Sequence, residues 1–200
     1  MYETIILTNQ HRSSLAVPHF THKNPTIFIS EDWSYTAPDN NFGHGNEIGQ
    51  YRCFRSHVEG IEMMTKDVAL VMEDDCVPDH TTEWEKALDS AYKLVTEYGY
   101  DAACLYLNPD GSHPRTNGKG INIDGFVWWE PKSVGWYVGA VCYMINKNGA
   151  EKMIEGKDFS HRLPTDLYLW HTSKFKYAVI DGSFFIHDRS QGSLNDRAKQ

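Results

Sequence analysis

The feature that most restricts the fold is an unbroken apolar run, Val68-Ala69-Leu70-Val71-Met72, that leads directly into three acidic residues, Glu73-Asp74-Asp75. Consecutive apolar residues without polar alternation are typical of a central strand that protein covers on both faces. Such strands occur in sheets that carry helices on both sides. The sequence therefore predicts an α/β fold with a group of carboxylates at one edge of its sheet.

Strand-like and helix-like segments alternate along most of the chain, which predicts a mainly parallel central sheet flanked by helices. We expect one domain over residues 1–190 and a C-terminal tail over 191–200 that could be flexible. Residues 108–132 are predicted to form a long loop, and Thr82 to Glu85 a capping box at the start of a helix. The predicted strands are 4–8, 26–30, 68–72, 102–107, 138–145, 177–180 and 184–186. The predicted helices begin near 50, 82, 148 and 163.

Composition narrows the class of protein. The formal net charge of −8 argues against broad binding to a polyanion, which usually requires a basic surface. No apolar segment is long enough to span a bilayer, and the first residues lack the features of a signal peptide. The four cysteines form no CxxC pair and are expected to be reduced thiols, so we predict a cytoplasmic protein. They are Cys53, Cys76, Cys104 and Cys142.

The acidic triplet is the first candidate site, because ligands of α/β sheets bind outside the carboxyl ends of the strands. Three adjacent carboxylates repel one another, and a divalent cation relieves that repulsion. Glu73 and Asp75 are alternate residues that can converge on one ion, and oxygen ligands favour Mg²⁺ or Mn²⁺ over zinc. The alternative is that the acids cap the turn before Pro78 in solvent. A metal here would serve hydrolysis as well as group transfer.

Several short blocks occur in order along the chain: Glu47-Ile48-Gly49, Ser56-His57, Leu70 to Asp75, Gly139 to Ile145, Gly149 to Lys152 and Pro164-Thr165-Asp166. Together they resemble glycosyltransferase family 25, which includes lipooligosaccharide galactosyltransferases. The chain departs from the family pattern at Asn46 and Gln50, where the family has Gly and often Cys. The resemblance implies a GT-A-type fold and inverting transfer of a hexosyl or pentosyl group. It also implies a nucleotide diphosphate sugar donor, often UDP-linked, and a divalent metal.

The resemblance also implies roles in catalysis and metal binding. Glu73 and Asp75 would form an acid-x-acid motif, with Asp75 on the metal and Glu73 or Asp74 on the ribose or a metal-bound water. His187, after a strand near the end of the chain, would supply a further metal ligand; the alternative is an exposed loop histidine. Asp166 would deprotonate the acceptor hydroxyl, and its alternative role is helix capping.

Further residues are candidates for donor binding. Arg12 could pair with the diphosphate or be a solvated surface arginine, and Asp32 could contact the base or ribose. Glu47 could bind the donor or hold its loop. Trp128 and Trp129 could stack on a sugar or nucleobase, or pack beneath the long loop. His57 is predicted to be a hydrogen-bonded structural histidine that organises the acidic loop rather than a catalytic one.

Four functions fit these patterns. The first is sugar transfer to lipopolysaccharide or another glycan. The second is sugar transfer to a hydroxylated, for example hydroxymethyl, base of DNA, as in phage DNA-modifying enzymes. A metal-dependent phosphoesterase and a non-catalytic nucleotide-sugar-binding module are the third and fourth. The sequence leaves the donor sugar, the acceptor, Mn²⁺ versus Mg²⁺ and the oligomeric state open.

Overall fold

The computed structural model describes residues 1–9, 14–30, 47–107, 118–131, 139–157, 165–171, 174–188 and 190. The predicted tail, 191–200, and the candidate donor-binding residues Arg12 and Asp32 lie outside these ranges.

The described ranges contain ten strands, five α-helices and a short 3-10 helix, Thr21–Lys23. None of the described helices combines the length and the apolarity that crossing a bilayer requires. The strands are β1 (Glu3–Asn9), β2 (Thr26–Ser30), β3 (Val68–Glu73), β4 (Cys76–Pro78), β5 (Ala102–Cys104), β6 (Gly118–Ile123), β7 (Phe126–Pro131), β8 (Cys142–Asn146), β9 (Tyr177–Ile180) and β10 (Phe185–His187). The helices are α1 (Val17–Phe20), α2 (Glu47–Glu62), α3 (Trp84–Glu97), α4 (Lys147–Glu155) and α5 (Thr165–His171).

Eight of these strands form one sheet in the order β2-β1-β3-β8-β5-β9-β7-β6. The pairs β1–β2, β1–β3 and β5–β9 are parallel, whereas β7 and β8 run against their neighbours. Six of the eight strands therefore run in the same direction. Strands β4 and β10 form a separate antiparallel pair. This arrangement confirms the predicted GT-A-like α/β fold with a mainly parallel central sheet.

Strand β3 lies inside the sheet and has a hydrophobic layer on each face. Leu70 and Met72 pack in the cluster that contains residues of α1 and α3. Ala69 and Val71 pack in the opposite cluster, with residues of α2, α4 and α5. Successive side chains of a strand point to opposite faces, so a strand covered on both sides needs apolar residues at every position. This requirement explains the unbroken run in the sequence.

The start of α3 differs from the prediction. The residue before the first helical turn is Glu83, and its side chain makes no capping hydrogen bond. The Thr82 hydroxyl instead donates to the Asp79 carbonyl at 2.7 Å. The predicted capping box is therefore wrong, because Thr82 belongs to the turn that follows β4.

The predicted loop over 108–132 is wrong in its second half, where β6 and β7 form an antiparallel hairpin. The connecting residues Asp124 and Gly125 have φ values of 53° and 89°. Two-residue hairpin turns favour Asp-Gly because both positions require positive φ. That dipeptide was the signal in the sequence for this hairpin.

Candidate functional site

The acidic triplet lies where the main sheet meets the small β4–β10 sheet. Glu73 is the last residue of β3, and Asp74 and Asp75 form the turn into β4. In the pairing of β4 with β10, His187 lies opposite Cys76. The Asp188 amide also donates to the Asp75 carbonyl at 2.8 Å. A segment near the end of the chain is thereby fixed beside the carboxylates.

The structure brings together the three residues predicted to bind the metal. Glu73, Asp75 and His187 each offer a ligand atom within 4.8 Å of the other two. His187 Nε2 lies 3.2 Å from Asp75 Oδ2. The Asp75 side chain is only 5% exposed, whereas those of His187 and Glu73 are 17% and 28% exposed. Asp75 is thus in the protein interior, whereas His187 and Glu73 are partly accessible to solvent.

The donor atoms of this group suit a divalent cation. Two carboxylates supply the charge that Mn²⁺ or Mg²⁺ requires, and an imidazole in place of a third oxygen favours Mn²⁺ over Mg²⁺. The Tyr106 ring lies edge-on to His187, with the ring centroids 6.1 Å apart, and so restricts the orientation of the imidazole. We call Glu73, Asp75 and His187 the carboxylate–histidine group.

Asp74 has a different environment from its two neighbours. It is 4% exposed, and its Oδ2 accepts a hydrogen bond from the Thr8 hydroxyl at 2.7 Å. Its main-chain carbonyl accepts from the amides of Leu15 and Ala16, at 2.8 and 3.0 Å. Asp74 therefore ties the end of β1 and the segment before α1 to the acidic turn. Sequence reasoning missed Thr8, although its polar side chain near the carboxyl end of the first strand was a signal.

Glu73 also contacts α2, which packs beside β3. His57 Nε2 lies 3.5 Å from Glu73 Oε1, and His57 Nδ1 lies 2.9 Å from the Tyr143 hydroxyl. The His57 side chain is 1% exposed. His57 is thus the hydrogen-bonded histidine that the sequence predicted. Its partner Tyr143, in β8, was not predicted, because a buried tyrosine in a strand gives no sign of what its hydroxyl contacts.

Asp166 lies in the first turn of α5, one residue after a threonine that contacts Cys53. The preceding hydroxyl, Thr165 Oγ1, is 3.3 Å from Cys53 Sγ, and Cys53 Sγ is 3.8 Å from Glu73 Oε1. Burial raises the pKa of Cys53 well above its ordinary value, and the negative charges of Glu73 and then Asp166 raise it further. Asp166 is half-buried and close enough to affect this thiol.

The remaining candidate residues are Glu47, Trp128 and Trp129. Glu47 is the first residue of α2, and its side chain lies outside the described part of the structure. Trp128 is fully buried and donates from Nε1 to the Ser90 hydroxyl at 2.8 Å, so its ring packs in the core rather than stacking on a ligand. Trp129 is half-buried and lies against Gly120 of the neighbouring strand.

The fold places the chain among α/β proteins with a mainly parallel central sheet and a hydrophobic layer on each face of that sheet. No family model matches the chain and no curated protein matches its sequence, so membership of glycosyltransferase family 25 stays a prediction.

Among solved structures, the chain is similar to a glycosyltransferase involved in the glycosylation of the major capsid of PBCV-1. The identity is 10%, the TM-score is 0.53, and the similarity covers 98% of each chain. It also has similarity to A197 from STIV, at 13% identity and a TM-score of 0.43, over 92% of this chain and 83% of that one. A further match is HddC from Yersinia pseudotuberculosis complexed with GMP-PN, at 14% identity and a TM-score of 0.44, over 100% and 97% of the two chains. The first of these likenesses supports the fold.

Proposed function

We propose that this protein is a metal-dependent, inverting glycosyltransferase that moves a sugar from a nucleotide diphosphate sugar, of the UDP-linked kind, to an acceptor hydroxyl. The observation that carries the proposal is the convergence of Glu73, Asp75 and His187 at the carboxyl end of β3. In an open α/β sheet this edge is where ligands bind. The likeness of the fold to that of a glycosyltransferase supports the same reaction class.

In this proposal the carboxylate–histidine group holds Mn²⁺ or Mg²⁺. Bound there, the cation would neutralise the charge that develops on a departing nucleoside diphosphate. The donor lies across the ends of the neighbouring strands β1 and β3, and we assign its further contacts to Arg12, Asp32 and Glu47. Asp74 has a structural role in this proposal. Its hydrogen bonds with Thr8 and with the segment before α1 hold the end of β1 and that segment beside the donor site.

We assign the role of general base to Asp166. The acceptor oxygen attacks the anomeric carbon, its proton passes to the Asp166 carboxylate, and the bond from that carbon to the diphosphate oxygen breaks. One displacement of this kind inverts the anomeric configuration. A positioned base contributes about 10²–10⁴-fold to such a rate. Asp166 lies in the first turn of α5, and the preceding residue, Thr165, contacts Cys53, whose sulfur is 3.8 Å from Glu73 Oε1. These contacts support its assignment as the base.

For the acceptor we propose a glycan, such as lipopolysaccharide. A structurally similar protein is a glycosyltransferase involved in the glycosylation of the major capsid of PBCV-1, which supports sugar transfer as the reaction. The net charge of −8 is unfavourable for the alternative acceptor, a hydroxylated base in duplex DNA.

The test is a thermal-shift screen of nucleotide diphosphate sugars with and without Mn²⁺, followed by a transfer assay with the donor that gives the largest shift. A ligand at 100 times its dissociation constant adds about 2.7 kcal/mol to the free energy of unfolding. We expect stabilisation that needs both Mn²⁺ and the donor. Asp75→Asn should abolish it. The matched control Asp124→Asn changes an exposed carboxylate in the β6–β7 turn and should retain it.

Each alternative function gives a different result in this assay. Transfer to duplex DNA, with binding that weakens steeply in salt, would replace the glycan acceptor. Release of the sugar into water at full rate without acceptor would replace transfer by hydrolysis. Stabilisation by a nucleotide sugar without turnover would indicate a binding module. No stabilisation by any donor in Mn²⁺ would refute the proposed function.

A further inference from the structure

Glu73 also belongs to a second group of potential metal ligands. The other two members of this group, Cys53 and His57, have no role in the proposed reaction. Cys53 and His57 are four residues apart on α2, so they lie on one face of the helix, one turn from each other. Both face the carboxylate of Glu73. Ligand atoms of Cys53, His57 and Glu73 all lie within 4.8 Å of one another.

The spacing of these atoms approaches that of a tetrahedral zinc site. Typical bonds of about 2.3 Å to sulfur and about 2.0 Å to nitrogen and oxygen place the sulfur about 3.5 Å, and the nitrogen about 3.3 Å, from the oxygen. In the structure, Cys53 Sγ is 3.8 Å and His57 Nε2 is 3.5 Å from Glu73 Oε1. The sulfur and the nitrogen are thus each within about 0.3 Å of the distance from the carboxylate oxygen that a shared ion requires.

Tyr143 supplies the outer contact that a metal-binding histidine needs. A ligating imidazole presents one nitrogen to the metal and donates from the other to a fixed acceptor. The Tyr143 hydroxyl lies 2.9 Å from His57 Nδ1, and the two rings stack with an interplanar angle of 21°. With the proton on Nδ1 donated to this hydroxyl, the Nε2 lone pair faces the Glu73 carboxylate. The tautomer and ring orientation that zinc requires are thus available in the fold.

The two groups differ in the metal that they favour. Thiolate and imidazole are ligands for zinc, whereas two carboxylates with one imidazole suit Mn²⁺. Cys53 is half-buried and Glu73 is 28% exposed, so an ion can reach the group from solvent.

We propose that Cys53, His57 and Glu73 form a zinc site that shares Glu73 with the carboxylate–histidine group. On binding, the Cys53 thiol releases its proton to solvent, the sulfur bonds to the ion as a thiolate, and no electrons are transferred. Three protein ligands leave one tetrahedral position for a water molecule. Zinc here withdraws Glu73 from the carboxylate–histidine group, so zinc occupancy inhibits Mn²⁺-dependent turnover; this inhibition rests on the proposed function.

The binding test uses Co²⁺ as a spectroscopic probe on the full chain, because a thiolate bonded to Co²⁺ gives a near-ultraviolet charge-transfer band. We expect the wild type to show this band and to lose it on addition of one equivalent of Zn²⁺. Cys53→Ser should lack the band and bind Zn²⁺ about 100-fold or more weakly, since even outer-contact changes cost about 10–100-fold. His57→Gln should have the same defect. Cys104→Ser, which changes a buried thiol outside the group, is the matched control.

The band separates a metal site from a merely structural cluster, because a hydrogen-bonded thiol produces none. Its absence from the wild type, or its persistence in Cys53→Ser, would overturn the zinc site, provided that thermal melts show each variant folded. In the wild type, Mn²⁺-supported turnover should fall when Zn²⁺ is added. In Cys53→Ser, added Zn²⁺ should leave the turnover of that variant unchanged.

The two proposals fail separately. A Cys53-dependent cobalt band in a protein that no nucleotide sugar stabilises would support the zinc site and refute sugar transfer. Stabilisation by Mn²⁺ and a donor, without a cobalt band, would support sugar transfer and refute the zinc site.

Discussion

The hydrogen bond between Tyr143 and His57 gives the sharpest stability prediction. The two side chains are buried, and the Tyr143 hydroxyl lies 2.9 Å from His57 Nδ1. Tyr143→Phe removes the hydroxyl and leaves a buried imidazole nitrogen without that partner, which costs about 1–3 kcal/mol. This is a large share of the roughly 5–15 kcal/mol that stabilises an ordinary domain. At about 2–4 °C per kcal/mol for a chain of this size, the melting temperature should fall by about 2–12 °C.

The assay is urea denaturation at pH 8, where an ordinary histidine is neutral, followed by circular dichroism and tryptophan fluorescence. Tyr98→Phe, at a half-exposed position after α3, is the control and should change the free energy of unfolding by less than about 0.5 kcal/mol. In a double-mutant cycle with His57→Leu, the two costs should add to more than the cost of the double variant. A Tyr143→Phe variant as stable as the wild type would refute the claim that this contact holds His57 in place.

Two further variants test the packing and the pH dependence. Gly149→Ala should lower the free energy of unfolding by about 1–3 kcal/mol, because a Cβ there would meet the Asp101 carbonyl oxygen at 2.5 Å. Helix propensity alone predicts the opposite, a more stable variant. If urea denaturation shows that the variant is more stable, this packing is contradicted. The His19 and His80 rings are in contact, with His80 Nε2 3.0 Å from His19 Nδ1. Burial, and then electrostatic interaction with His80, hold the pKa of His19 below its ordinary value of 6.5. The unfolded chain therefore takes up the proton first, and this contribution to stability is lost as pH falls below about 6.5. His19→Asn should flatten the pH dependence of the melting temperature in this range, and an unchanged slope would count against the His19–His80 contact.

The sequence pointed to candidate metal ligands, whereas their surroundings came only from the structure. Glu73 and Asp75 follow a fully buried strand, and that position is enough to mark them as candidate ligands. His187 could be named only through a family resemblance, because its place beside Asp75 depends on the pairing of β4 with β10. Strand β4 was not predicted, because it has three residues, directly follows the acidic turn and ends in a proline, which seldom lies inside a sheet.

Asp74 shows that a local sequence pattern does not predict which residue a side chain contacts. In the sequence it is equivalent to the acids on either side of it, so it was a candidate for donor binding. In the structure its carboxylate faces Thr8, and its carbonyl holds the segment before α1. Adjacent residues in a turn point in different directions, and only the packing of the strands decides that Asp74 contacts Thr8 whereas Asp75 contacts His187.

The amino-acid sequence by itself determined the central strand Val68–Met72, the flanking helices and the carboxylates at the edge of the sheet. These features depend on the period of apolar side chains, which is a local property of the chain. Tertiary structure alone brought side-chain atoms of Cys53 and His57 from α2, and of His187 near the end of the chain, within 4.8 Å of Glu73. Those contacts join residues that are far apart in the chain, and such distances are set by how helices and strands pack rather than by any pattern along the sequence.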